Sequence, residues 1–206
     1  MFYSFIHIVG VLLFKLLFRL RAKGEGNIPR KGGCILASNH MSYLDPMVLG
    51  IACPRRLCFL ARSELFTHTS RAFAWLITAL GAFPLKKGVG DLKALRTALA
   101  LLREGGILVM FPEGTRTADG MLQRAEPGLG MLALKAGVPI IPTLIVGTDR
   151  ALPRDARFIR LRRVGIYFGE KITPEELGAF ERERQGYQKI ADLVMERIAG
   201  LKRRIA

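Results

Sequence analysis

Acidic residues are scarce in this chain: 17 Asp and Glu stand against 32 Lys and Arg over 206 residues, a formal net charge of +15. That imbalance excludes an electrostatically neutral surface and calls for an anionic partner: nucleic acid, an anionic bilayer or phosphorylated small molecules. Cysteine is equally sparse. Cys34, Cys53 and Cys58 are odd in number and lack metal-ligand spacing, which points away from a disulfide framework or zinc site and toward reduced thiols in a cytosolic environment. No G-x-S-x-G elbow and no P-loop occur, so Ser42 is a poor nucleophile candidate. Gly88-Val89-Gly90 lacks the third glycine of a dinucleotide fingerprint. Internal repeats and low-complexity segments are absent as well, and the length fits one domain with a full hydrophobic core.

What is plentiful is apolar surface. A hydrophobic fraction of 50% with positive mean hydropathy favours the bilayer over nucleic acid, whose binding modules are more polar. Residues Phe2 to Phe14 are apolar except for Ser4 and His7, and Leu16-Leu17-Phe18 continue the run after Lys15. The uninterrupted stretch is too short for a secure membrane span. Lys15, Arg19 and Lys23 recur every four residues, so the periodicity predicts a basic, largely apolar helix over 1–24, followed by the main domain over 25–206. Such a helix lies in the headgroup plane and attracts anionic lipid. The basic residues follow the apolar run instead of preceding it, which argues against a cleaved signal peptide and places the body on the cytoplasmic face of the inner membrane, monotopic or peripheral. A buried core helix is the alternative.

Beyond the Gly/Lys/Arg linker of Gly24 to Gly33, strand-like and helix-like runs alternate. Cys34 to Ala37, Ile107 to Phe111, Ile140 to Val146 and Val164 to Phe168 read as strands, with a short extended piece over Gly81 to Leu85. Asp45-Pro46 reads as an N-cap with proline at the first helical position, opening a helix to about Ile51. Arg71 to Leu80 reads as a helix. Asp91 caps another, with Leu92, Leu95, Leu99 and Leu102 on its apolar side and Gly105-Gly106 as its stop. Helices are also expected over Leu129 to Ala136 and from Glu181 to the end. The expected fold class is α/β: a mixed, largely parallel sheet flanked by helices, with an N-terminal membrane-associating helix.

Two polar motifs stand where apolar runs stop. The first run empties into Asn39-His40-Met41-Ser42-Tyr43-Leu44-Asp45, and the second, after Phe111, into Pro112-Glu113-Gly114-Thr115-Arg116-Thr117. Ligands of open α/β sheets bind at the carboxyl ends of the strands, so adjacent ends would gather His40, Asp45, Glu113 and Arg116 at one mouth. A histidine there can act as general base, with a carboxylate on its other nitrogen fixing the tautomer. Arginine offers a planar fork for phosphate. Each motif alone has a plainer reading: Asp45 as a helix cap beside a polar loop histidine, and Glu113 with Arg116 as a surface turn. The arginines at 150, 154, 157, 160, 162 and 163 read as a solvated face or a site for lipid headgroups.

Taken together, Asn39 to Asp45, Gly81 to Gly88, Phe111 to Thr117 and Val138-Pro139-Ile140-Ile141-Pro142 resemble, in order and spacing, the four motifs of the glycerolipid acyltransferases, of the 1-acyl-sn-glycerol-3-phosphate type. The resemblance covers roughly residues 25 to 170. It implies transfer of a fatty acyl group from acyl-CoA or acyl-carrier protein, as co-substrate, to the sn-2 hydroxyl of lysophosphatidic acid at an anionic membrane surface. It implies no metal, no further cofactor and no nucleic acid. His40 would be the catalytic base and Asp45 its orienting partner, while Lys86, Lys87, Glu113, Gly114, Thr115 and Arg116 would bind substrate. The second motif departs from the family pattern, which carries Arg before the closing glycine. Lys87 keeps that charge but loses the bidentate geometry. Another lysolipid or glycerol 3-phosphate as acceptor, and a non-enzymatic basic membrane- or nucleic-acid-binding protein, are the competing readings.

Overall fold

The computed structural model describes residues 12–62, 82–85, 92–117, 120–153, 156 and 158–205. Seven strands, β1 (Arg21–Lys23), β2 (Cys34–Ser38), β3 (Leu57–Arg62), β4 (Ala82–Leu85), β5 (Ile107–Met110), β6 (Ile140–Val146) and β7 (Gly165–Phe168), form the sheet. Their order is β1-β7-β6-β2-β5-β3-β4, and among them only β6 and β7 pair antiparallel. Helices α1 (Asp45–Ala52), α2 (Leu92–Arg103), α3 (Gly128–Ala136), α4 (Thr148–Ala151), α5 (Pro174–Gly178) and α6 (Arg184–Ile205) accompany it. The mixed, largely parallel α/β sheet expected from the alternation is the sheet observed.

Central parallel strands are covered on both faces and read as continuous apolar runs. Strand β2 is of this kind, buried at every position. Its side chains alternate between two cores, as the period of two requires. Cys34 and Leu36 join Ile107, Val109, Ile141 and Ile145 on one face, beneath Val48 and Leu49 of α1. Ile35 and Ala37 join Leu108, Ile140 and Leu144 on the other, beneath α2, α3 and the Ile190, Val194 and Ile198 row of α6. Three layers result, helix on sheet on helix.

Several local expectations change. The N-terminal helix covers residues 12–18 and stops there; Arg19 turns to φ 47, Leu20 is buried and Arg21–Lys23 form edge strand β1 against β7. The basic stripe therefore does not continue to Lys23, because pairing with β7 claims the backbone. Helix α2 buries Ala94, Ala98 and Leu102, leaving Leu92 at 64% exposure, since the small alanines allow close approach. Strands β1 and β3 and helices α4 and α5 were not anticipated. Residues 1–11, the helix expected over Arg71 to Leu80 and the cap at Asp91 lie outside the described residues.

Candidate active site

Strands β2 and β5 end side by side, with Ala37 paired to Met110, and β6 runs on to Val146 beyond the pairing of Ser38 with Thr143. The chain leaves β2 at Asn39, whose side chain replaces a rung of the ladder. Its amide accepts from the Ile145 N–H at 2.8 Å and donates to the Ile145 carbonyl at 3.0 Å. That lock fixes where His40 begins.

Asp45 is the first residue of α1, yet it does not cap the helix; Leu44 occupies the cap position without a side-chain bond. The carboxylate instead turns back, fully buried, onto the preceding loop. Its Oδ2 accepts from the Met41 N–H at 2.7 Å and the Ser42 N–H at 2.8 Å, and lies 2.8 Å from His40 Nδ1. An oxygen holding two backbone donors acts as acceptor toward a third, which assigns the proton to Nδ1. Nε2 is then left with its lone pair. The ring is fixed on its face too, stacked on Phe111 with centroids 4.0 Å apart and planes inclined at 19°. The His40 side chain is 17% exposed, enough for a reactant to reach it.

The second motif leaves β5 and folds against the first. Gly114 adopts φ 66, a conformation that strains any side chain, and its N–H closes the turn onto the Phe111 carbonyl at 3.0 Å. Glu113 is buried and joins two loops: Oε1 accepts from the His40 N–H at 3.2 Å and Oε2 from the Gln123 N–H at 3.1 Å. Burial raises its pKa above the ordinary carboxylate range, against the opposing pull of those two N–H groups. The Thr117 N–H donates to the His40 carbonyl at 2.9 Å, which pins the two motifs together. Arg116 lays its guanidinium 3.6 Å over the exposed ring of Tyr43, while its buried Nη1 has no hydrogen-bond partner. A buried guanidinium donor without an acceptor is costly, and an anion would satisfy it.

His40, Asp45, Glu113, Gly114 and Arg116 are thus brought together, with Thr115 exposed on the same turn. Lys86 and Lys87 lie outside the described residues; β4 delivers Leu85 to this end of the sheet three strands away from β2. Sequence reasoning missed Asn39, Tyr43 and Phe111 as supporting residues. All three stand inside the quoted motifs, and an aromatic beside a candidate base or arginine is the signal that was available. Among the described residues no group of three or more His, Cys, Asp or Glu could hold a metal ion, and no helix is long and apolar enough to cross a membrane.

The family model described as Acyltransferase matches residues 19–146. A chloroplastic 1-acyl-sn-glycerol-3-phosphate acyltransferase of Brassica napus is 29% identical over 139 residues, 66% of this chain but only 40% of that protein. A lyso-ornithine lipid O-acyltransferase of Pseudomonas aeruginosa is 31% identical over 195 residues, covering 85% of this chain and 72% of its own. The crystal structure of a 1-acyl-sn-glycerophosphate acyltransferase from Thermotoga maritima superposes with a TM-score of 0.74 at 27% identity, over 94% of this chain and 78% of that one.

Proposed function

The chain belongs to the acyltransferase family, and we propose that it moves a fatty acyl group from acyl-CoA or acyl-carrier protein to the sn-2 hydroxyl of lysophosphatidic acid, giving phosphatidic acid. The observation that carries this reading is the 2.8 Å contact between His40 Nδ1 and the buried Asp45 carboxylate at the carboxyl end of β2. His40 Nε2 takes the hydroxyl proton as the oxygen attacks the thioester carbonyl. The tetrahedral intermediate collapses, the C–S bond breaks, and the proton passes from the imidazolium to the leaving thiolate. Asp45 stabilises the imidazolium formed between those steps.

Arg116 receives the acceptor's phosphate on its unpaired Nη1, and Lys86 and Lys87, which follow Leu85 in sequence, add positive charge. Glu113, with Gly114 and Thr115 beside it, frames the glycerol portion. The backbone N–H groups of His40, Met41, Ser42, Gly114 and Thr117 are all committed to protein acceptors. Oxyanion stabilisation therefore falls to other donors. The enzyme works at the cytoplasmic face of the membrane, where its single-chain lipid acceptor resides.

Lyso-ornithine lipid is the second acceptor to weigh, because the Pseudomonas aeruginosa relative bearing that activity in its name aligns over 85% of this chain. A panel of lysophosphatidic acid, lyso-ornithine lipid and glycerol 3-phosphate, each with acyl-CoA and with acyl-carrier protein, separates these by product mass. Phosphatidic acid is the expected product. Arg116→Ala should raise the KM for lysophosphatidic acid by roughly 10–100-fold, the worth of a hydrogen bond to a charged group, with the donor KM unchanged. Product from lyso-ornithine lipid alone would overturn the acceptor assignment.

A further inference from the structure

Residues 158–163, Phe-Ile-Arg-Leu-Arg-Arg, form an irregular segment in which every residue is exposed. Phe158 is 82% exposed, Ile159 54% and Leu161 64%. Water is a poor environment for three adjacent apolar side chains of this size, and such a cluster marks an interaction surface. Arg160, between Ile159 and Leu161, and Arg162 and Arg163, which follow, have no ion pair or side-chain hydrogen bond among the described residues.

The segment is held, not loose. The Arg160 N–H donates to the Ala151 carbonyl at 2.7 Å and the Val164 N–H to the Phe18 carbonyl at 3.0 Å. Gly147 enters α4 at φ 87 so close to the Arg163 carbonyl that a Cβ would collide with it. Strand β7 runs antiparallel to β6, with Gly165 opposite Val146, so the segment lies at the same end of the sheet as His40. The Ser42 hydroxyl, in the His40 loop, donates to the Leu152 carbonyl at 2.8 Å and ties the two together.

The same bonds at Val164 bring up the N-terminal helix. Its residues Phe14 and Phe18 pack on the core, while Leu12 and Leu16 remain 63% and 79% exposed. Two exposed apolar segments far apart in sequence therefore lie at the same end of the sheet, and both carry basic residues that form no ion pair among the described residues. We propose that residues 158–163 are a second membrane-docking element that inserts Phe158, Ile159 and Leu161 into an anionic leaflet while Arg160, Arg162 and Arg163 meet its headgroups. An acidic protein would match the arginines but leave Phe158 in water. A bilayer satisfies both sets.

The inference deepens the proposed activity and rests on a lipid acceptor for its purpose. Vesicle binding measured without acceptor or donor keeps its failure separate from failure of that reading. The full chain is sedimented with phosphatidylcholine vesicles and with vesicles containing phosphatidylglycerol. The triple variant F158S/I159S/L161S should lose at least about tenfold in partitioning to both vesicle types. R160E/R162E should lose at least about fivefold per arginine on anionic vesicles only, from about 1 kcal/mol per basic residue near the surface. Against fold damage, Phe158→Trp should gain a blue-shifted emission component, quenched by brominated acyl chains, over the wild-type signal from Trp75. Unaltered partitioning of the folded triple variant, an unquenched tryptophan, or binding of acidic acyl-carrier protein in place of vesicles would each overturn the proposal.

Discussion

The two ends of the sheet use one device for opposite purposes. At the amino ends of the strands, Arg55 donates from Nη1 to the Pro29 and Gly32 carbonyls at 2.7 and 2.9 Å, and from Nη2 to the Gly105 carbonyl. A single half-buried side chain thereby fastens the segments leading into β2, β3 and β5. At the carboxyl ends, Asp45 and Glu113 gather backbone N–H groups in the mirror-image arrangement, anions collecting donors. The difference lies in what is left over. Asp45 Oδ1 and Arg116 Nη1 are buried without partners, whereas Arg55 is not short of any. Among the described residues, the amino end leaves no buried polar side-chain atom unpaired. The other keeps a donor and an acceptor unmet, which is what a site needs in order to answer to something that arrives.

The largest expected effect tests whether the carboxyl end is chemical at all. His40→Ala should lower kcat/KM by about 10²–10⁴-fold with the thermal midpoint nearly unchanged. Asp45→Asn should fall in the same range for a different reason. With its oxygen at the Oδ2 position the neutral amide still accepts from the Met41 and Ser42 N–H groups and from Nδ1, but it no longer carries the charge that stabilises the imidazolium formed when Nε2 takes the proton. Steady-state turnover alongside circular-dichroism melting reads both, and wild-type turnover by either folded variant would erase the distinction between the ends.

Arg55→Met examines the opposite end. Removing a donor to three carbonyls should cost about 2–4 kcal/mol of unfolding free energy in a denaturant titration. Turnover per folded molecule should stay within about twofold, because nothing in the site touches Arg55. A proportional loss of turnover in the folded fraction would show that the ends are coupled through the strands.

The smallest effect sharpens the picture of Glu113. Its pKa is raised in the folded state, so the native protein binds the proton more tightly than the unfolded chain does. Stability is fully present below the unfolded carboxylate range and declines as pH rises through the folded pKa. Glu113→Gln removes that slope, though its amide cannot accept from both the His40 and Gln123 N–H groups. The stability advantage of wild type over the variant should therefore shrink as pH climbs from the acid side toward neutrality. A widening advantage would mean that the two N–H groups outweigh burial.

The apolar runs of β2, β5 and β6 were legible because central strands have no polar side to confuse the pattern. Helix α6 was legible because Ile190, Val194 and Ile198 keep a clean period. Strand β1 was not: Arg21-Ala22-Lys23 carries no apolar signature, and its strand state comes from β7, far away in sequence. The expected helix ran on to Lys23 for the same reason, since nothing local announces the turn at Arg19. His40, Asp45, Glu113 and Arg116 were named from motif order, and strand adjacency brings them together. What spacing could not supply was direction. Asp45 at the start of a helix suits a cap on propensity alone, and only the trajectory of the preceding loop turns it toward His40. The partners of Glu113 are main-chain N–H groups, which every residue but proline offers and no letter encodes.

The bond pair between Asn39 and Ile145 has an architectural consequence. Parallel strands that part company beyond Ser38 would open a notch in the middle of the sheet, exposing an unpaired donor and an unpaired acceptor on β6. Such an opening is a template for strand addition by another chain. The Asn39 side chain is a short peptide group in the right orientation to fill it. The main chain is released toward β5 one residue early, and β6 remains paired. A single carboxamide thus allows the sheet to split where the cleft begins without acquiring a sticky interior edge, a solution that depends on offering both hydrogen-bonding senses at once and that the isosteric aspartate cannot reproduce.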